Sequence, residues 1–342
     1  MIEIIQFLCR QLPIPLAASF AVFLILSCSS YHPLPGRDSV GSVRALEVDQ
    51  PAVKVTFLGN TTVVLSDGET HLMVDGFFSR PGILPVLLGK IGPDRAEIES
   101  QLMAGGITRL DGLLVGHAHY DHALDAPLVG QLTDATVIGS PSYGKIHQGY
   151  GGDMEKLVVL DQDREVHRFG KFTVTLVLSD HASAHSFLQR AAEGSIEAPL
   201  QLPARFHELK CGKVYAIHID HPEGSVAVTT TAGAQAGQFN GLKADVLMLG
   251  VGLISKETEE QKEFYWHETA EALGAPTIVP IHWDSFTRPL DKGLAAMPRL
   301  VDNTQASIGW VQEQQGGRHV HIMGLRDHFT LRNRKASISS LP

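Results

Sequence analysis

The apolar run Gly112-Leu113-Leu114-Val115-Gly116 leads without a break into His117-Ala118-His119-Tyr120-Asp121-His122. A short apolar stretch bounded by glycines reads as a buried strand, and the polar hexad is then the loop leaving its end. Two imidazoles two residues apart can converge on one cation from a bent loop, and the Asp-His pair behind them can face a second. Strand ends suit this task because the sheet fixes where the loop begins. The hexad therefore asks for a sheet with one rim open to ligands.

Composition supports that chemistry. The 342 residues hold 17 histidines and 3 cysteines, so metal binding would rest on imidazole more than on thiolate. Asp and Glu number 37 against 28 Lys and Arg, a formal net charge of −9. That balance repels phosphate backbones, and no basic run offsets it, so nucleic acid is not an expected partner. At 44% hydrophobic and 19% charged residues, the chain can bury a sizeable core.

From residue 52 the pattern is β-rich: VKVTFL (53–58), TTVVL (61–65), a Ser66-Asp67-Gly68 turn and HLMVD (71–75) read as antiparallel hairpins. Pro93 and Asp94 open a helix whose apolar stripe is Ala96, Ile98, Leu102 and Met103, closed by Gly105-Gly106. Later strands are FTVTLVLS, VYAIHI, SVAVTTT, the doubly buried DVLMLGVGL and TIVPIHW, with helices expected over 257–273 and within 291–313. Strands faced by late helices imply a layered α/β sandwich.

Residues 12–26, LPIPLAASFAVFLIL, form the only long apolar run, with Arg10 before it and Ser27-Cys28-Ser29-Ser30 after it. The run is short for a membrane span and sits where a secretory core belongs. It resembles a bacterial lipoprotein signal. The expectation is a signal over 1–27, a Pro/Gly/Ser-rich tether over 28–50 and a single folded domain over 51–342, held at the membrane of the cell envelope by a lipid on Cys28. An uncleaved N-terminal anchor and an amphipathic segment of a cytoplasmic protein are the alternatives. Cys211 is then left alone in the domain, so no internal disulfide forms there.

The His-x-His-x-Asp-His pattern resembles the signature of the metallo-β-lactamase superfamily, and the resemblance implies a four-layer αββα sandwich. It also implies a third histidine after a later strand, an acidic residue after another, and a last histidine near the C-terminus. His181, ending LVLSDH, fits the third place, with His185 as competitor; His282 in IVPIHWDSF fits the last. The acidic residue is missing: Thr230, Thr231, Ala232 and Gly233 occupy its stretch, and a hydroxyl does not supply a carboxylate's charge. The implied metal ligands are His117, His119 and His181 for one ion and Asp121, His122 and His282 for another, with zinc, one or two ions, or iron or manganese in the same set.

The resemblance further implies a hydrolase in which metal-bound hydroxide attacks an ester, lactone or phosphodiester. Asp121 would orient the nucleophile or take its proton, and His185, where not a ligand, would hydrogen-bond substrate. Asp75 and Asp180 are unranked candidates for orienting a ligand histidine. The layout TFLGNTTVVL…THLMVDGFFS with the late IVPIHWDSF is similar to the branch of L-ascorbate-6-phosphate lactonase and N-acyl-phosphatidylethanolamine phospholipase D. A small molecule or membrane lipid is the expected substrate. A periplasmic β-lactam hydrolase and a catalytically silent binding scaffold are the alternatives. Phe77, Phe78, Arg80, Tyr143, Phe187 and Trp283 are expected pocket residues, and 186–210 a lid. Oligomeric state has no signal in the sequence.

Overall fold

The computed structural model describes residues 52–183, 187–299 and 301–337. The expected signal (1–27), the tether (28–50) and His185 lie outside the described residues. Six strands open the fold: β1 (Val53–Phe57), β2 (Val63–Ser66), β3 (His71–Val74), β4 (Gly112–Leu114), β5 (Thr136–Gly139) and β6 (Leu157–Val159). Seven follow in the second sheet: β7 (Arg164–Phe169), β8 (Phe172–Ser179), β9 (Val214–His221), β10 (Gly224–Thr229), β11 (Val246–Gly250), β12 (Thr277–Ile281) and β13 (His319–Val320). The chain then returns to the first sheet with β14 (His328–Arg332) and β15 (Lys335–Ser337).

The first sheet has the order β15-β14-β1-β2-β3-β4-β5-β6 and the second β13-β12-β11-β10-β9-β8-β7. Each is antiparallel in one half and parallel in the other. In the first, β1-β2-β3 form the expected hairpins and β3 to β6 run parallel. In the second, β7 to β10 alternate and β10 to β13 run parallel. One apolar core lies between the sheets, where Val55, Phe57 and Leu65 meet Ile217, Val226 and Leu247, and it extends to Trp266, Ile308 and Trp310 of the outer helices. A second core packs Ile98, Leu102, Leu128, Val129 and Ile146 of the opposite helices onto Leu113 and Val137. The result is helix, sheet, sheet, helix, the expected sandwich.

Helix boundaries follow local chemistry. Asp94 caps Arg95–Ala104 by accepting from the Ala96 and Glu97 amides. Ile98 and Leu102 of the expected stripe are buried, whereas Met103 faces solvent. The expected helix within 291–313 is only Thr304–Glu313, capped by Asn303. Gly293 with φ +68° and Pro298 keep the preceding stretch irregular. The helix Glu259–Trp266 is prolonged by a π-helical turn, His267–Glu271. Among the described residues no helix is long and apolar enough to cross a membrane.

Strand direction builds one rim. β1, β3 and β4 of the first sheet, and β8, β10, β11 and β12 of the second, all point their carboxyl ends the same way within their sheet. β9 runs against β8 and β10, so its amino end reaches the same rim. There the sheets are tied together: Tyr215 N–H, at the start of β9, donates to Gly116 O after β4 at 2.8 Å.

Candidate metal centre

The loops leaving the rim bring six of the expected residues into two clusters. His117, His119 and His181 form the first, with ring centroids 4.9, 4.9 and 4.7 Å apart. Asp121, His122 and His282 form the second. The two touch through His117 and His122, whose rings lie 3.9 Å apart.

Distances within the clusters have a chemical meaning. His282 Nε2 is 3.2 Å from His122 Nε2, and Asp121 Oδ2 is 3.3 Å from each of those nitrogens. In the first cluster His117 Nε2 and His119 Nδ1 are 3.2 Å apart. A tetrahedral zinc ion with ligands at its usual bond lengths sets its donors about 3.3 Å apart. The donors therefore already sit at the edges of a coordination polyhedron.

The far side of each ring fixes which nitrogen is free. His119 Nε2–H donates to Ala192 O at 3.2 Å, and His181 Nδ1–H donates to Ala182 O at 2.8 Å. His122 Nδ1–H donates to Asp75 Oδ2 at 2.7 Å. His119 and His181 thus keep the other nitrogen's lone pair for the cluster, and His122 turns its Nε2 toward Asp121 and His282, the orientation metal-bound imidazoles require. In the first cluster, lone pairs facing each other at 3.2 Å repel, and a cation between them removes the conflict.

Asp75 is in turn held. It accepts from Thr61 Oγ1 at 2.5 Å and Gly116 N at 2.8 Å. Asp180, its equal in the sequence, instead accepts from Gln235 Nε2 on the outside and orients no ligand. Asn60, which sequence reasoning missed, joins the loops. Its side chain donates to Asp121 O at 2.6 Å and its carbonyl accepts from His282 N at 2.7 Å. Its own amide donates to Asp284, which is paired with the buried Arg80 at 2.6 Å. Asn60, Asp75 and His282 all adopt left-handed φ of 53–59°, strain of the kind that gathers where function fixes the backbone. Two glycines make room: a Cβ on Gly116 would lie 2.3 Å from Thr230 Oγ1, and one on Gly252 would lie 2.7 Å from His282 Nδ1.

The charge state differs between the clusters. Burial, reinforced by neighbouring histidines, holds His117 well below the ordinary imidazole range. Burial likewise pushes His119 down to about 4 and His181 down to about 3. Burial would also lower His122, but the charges of Asp121 and Asp75 outweigh it and raise the ring to about 10. Burial opposes ionisation of Asp121, yet His122 and His282 hold it well below the usual carboxylate range.

One expectation needs correction. Phe77, Phe78, Arg80, Tyr143 and Trp283, expected to line a pocket, are buried in the interior, and the side chain of Phe187 lies outside the described residues. Neither Asp220 nor Asp245 takes the place of the missing acid: Asp245 accepts from Ser225 and Asp220 pairs with Arg334, both away from the rim. Thr230 Oγ1 lies behind His117, 3.4 Å from Nδ1, and Thr231 Oγ1 accepts from Ala182 N at 3.1 Å.

Residues 55–193 match the profile of the family described as the metallo-beta-lactamase superfamily. Over that segment, which carries the hexad, the chain is similar to the metallo-β-lactamase superfamily. Among curated relatives, a UPF0173 metal-dependent hydrolase of Christiangramia forsetii is 28% identical over 88 residues, 26% of this chain and 32% of that protein. One from Anaeromyxobacter dehalogenans is 27% identical over 136 residues, 39% of this chain and 44% of that protein. The match thus spans 32–44% of those relatives' length. Of solved structures, the metallo hydrolase Igni18 of Ignicoccus hospitalis superposes with a TM-score of 0.50 at 14% identity, covering 82% of this chain and 99% of its own. An isothiocyanate hydrolase from Delia radicum gut bacteria gives the same TM-score, identity and coverage. These likenesses describe the fold.

Proposed function

We propose that the chain is a metal-dependent hydrolase whose cations are held by His117, His119 and His181 and by Asp121, His122 and His282. The observation that carries this reading is the donor spacing of 3.2–3.3 Å in both clusters, with the remote nitrogens of His117, His119, His181 and His122 committed elsewhere. Imidazole and carboxylate donors suit zinc, and iron or manganese equally. Such a cation, when bound, acidifies water and polarises the scissile oxygen. Asp121, kept ionised among histidines, accepts the proton of the attacking water or orients it. Asp75 and Asn60 hold His122 and the Asp121 backbone in place.

The substrate class that fits is an ester, lactone or phosphodiester. The sequence layout shared with the lactonase and phospholipase branch supports it, as does the set of nitrogen and oxygen donors. The lipoprotein-like N-terminus favours a substrate of the cell envelope and, within the class, the phosphodiester of a lipid. The test is turnover of generic phosphodiester, ester, lactone and β-lactam substrates by the purified chain before and after chelation. Activity lost on chelation and restored by zinc, iron or manganese supports the reading. Stoichiometric metal with no turnover of any of them would replace it with a silent metal-binding scaffold.

A further inference from the structure

The three-imidazole cluster has a fourth neighbour. We propose that Cys211 is a metal ligand, its sulfur completing a set of three imidazoles and one thiolate with His117, His119 and His181. The inference rests on the reading of the rim as a metal centre and deepens it by assigning the first cluster's coordination and charge.

The ligand atoms of these four residues all lie within 4.8 Å of one another. A tetrahedral ion with nitrogen and sulfur at their usual bond lengths sets such donors about 3.6 Å apart, so a small side-chain adjustment closes the set. Cys211 is buried, 8% exposed, and its backbone is fastened to the histidine loop. Its carbonyl accepts from Ala118 N, between the two ligand histidines, at 3.0 Å. Its N–H donates to Ala192 O at 2.9 Å, the same carbonyl that accepts from His119 Nε2. One carbonyl thus fixes both the ring and the cysteine.

Charge gives the reason for a thiolate here. Three neutral imidazoles bring no negative charge to a divalent cation, and Thr230 and Thr231 stand where the superfamily resemblance asks for a carboxylate. Cys211 supplies one negative charge. On binding, the S–H bond breaks, its proton passes to solvent, and the sulfur lone pair forms the bond to the ion. No electron is transferred. Four protein ligands close this site, whereas the Asp121, His122 and His282 set has three and keeps room for a substrate oxygen.

The experiment is titration of the metal-free full chain with Co(II) without oxygen, read by absorption. Wild type should show visible ligand-field bands together with a near-ultraviolet sulfur-to-cobalt charge-transfer band. Cys211→Ala should keep visible bands, lose the near-ultraviolet band and bind the first equivalent at least about tenfold more weakly. Visible bands without the near-ultraviolet band in wild type, or a band that survives Cys211→Ala, overturn the assignment but leave the metal centre standing. Absence of cobalt binding overturns both. A second measurement needs no change at position 211. In a Cys9→Ser, Cys28→Ser chain Cys211 is the only cysteine, and X-ray absorption should find a sulfur scatterer at about 2.3 Å. A shell of nitrogen and oxygen alone contradicts the proposal.

Discussion

The two donor clusters share a rim and differ in almost everything else. His117, His119 and His181 are neutral rings whose remote nitrogens reach backbone carbonyls or a hydroxyl. Asp121, His122 and His282 are built around charge, with His122 clamped between two carboxylates that raise it to about 10. The first cluster is ready for a cation at neutral pH except for a proton on Cys211, whose thiol burial and the Asp121 and Glu193 charges push up to about 12. In the second, a cation must displace the His122 proton before it binds. The lesson is that one fold places two sites a ring's width apart and sets their proton costs independently, through the partner behind each imidazole.

The sharpest way to break the comparison is to delete one ligand from each side. His119→Ala and Asp121→Ala should each take turnover to background, yet each should leave the other cluster's metal in place, read by elemental analysis. Loss of all metal in either variant would make the clusters one cooperative site. Next in size, Asp75→Asn removes the acceptor that orients His122 and should weaken metal at the second cluster by roughly 10–100-fold, with the first unchanged, measured by competition with a chelating dye.

The pH dependence separates the clusters further. With His122 raised to about 10, metal affinity at the second cluster should rise about tenfold per pH unit between pH 6 and 9, because each ion bound there releases one proton. His119 and His181, at about 4 and 3, are already deprotonated in that window and add no slope. The first cluster should therefore rise with pH in wild type, through Cys211, and be flat in Cys211→Ala. Equal slopes at both clusters of that variant, followed by titration calorimetry in buffers of different ionisation enthalpy, would contradict the charge assignment. The smallest effect belongs far from the rim: Asn303→Ala removes the cap of Thr304–Glu313 and should cost about 1 kcal/mol of stability, with no change in metal content.

What was legible in the sequence follows from how local each signal is. HAHYDH after GLLVG, and IHW after TIVP, announce themselves because ligand and strand are contiguous, and parallel strands then carry their ends to one rim. The groups that support the ligands come from distant segments and carry no local pattern. Asn60 reaches Asp121 across 61 residues and Asp284 across 224. Asp75 and Asp180 both end strand runs, and only the packed structure turns one inward and the other toward Gln235. Cys211 is the single cysteine of the expected domain and carries no local pattern either. Its signal lay in the order of strands: a strand antiparallel to those bearing His181 and Thr230 brings its amino end, and the residues just before Val214, to the same rim. The aromatic residues expected to line a pocket were misread for the ordinary reason that large apolar side chains near strand ends pack inward.

The most direct test of the account is metal content and turnover measured together on wild type, His119→Ala and His282→Ala after reconstitution with zinc. The account predicts about two ions per chain in wild type, about one in each variant, and turnover in wild type alone. Wild type without metal after reconstitution, or a variant that hydrolyses as fast as wild type, would contradict it.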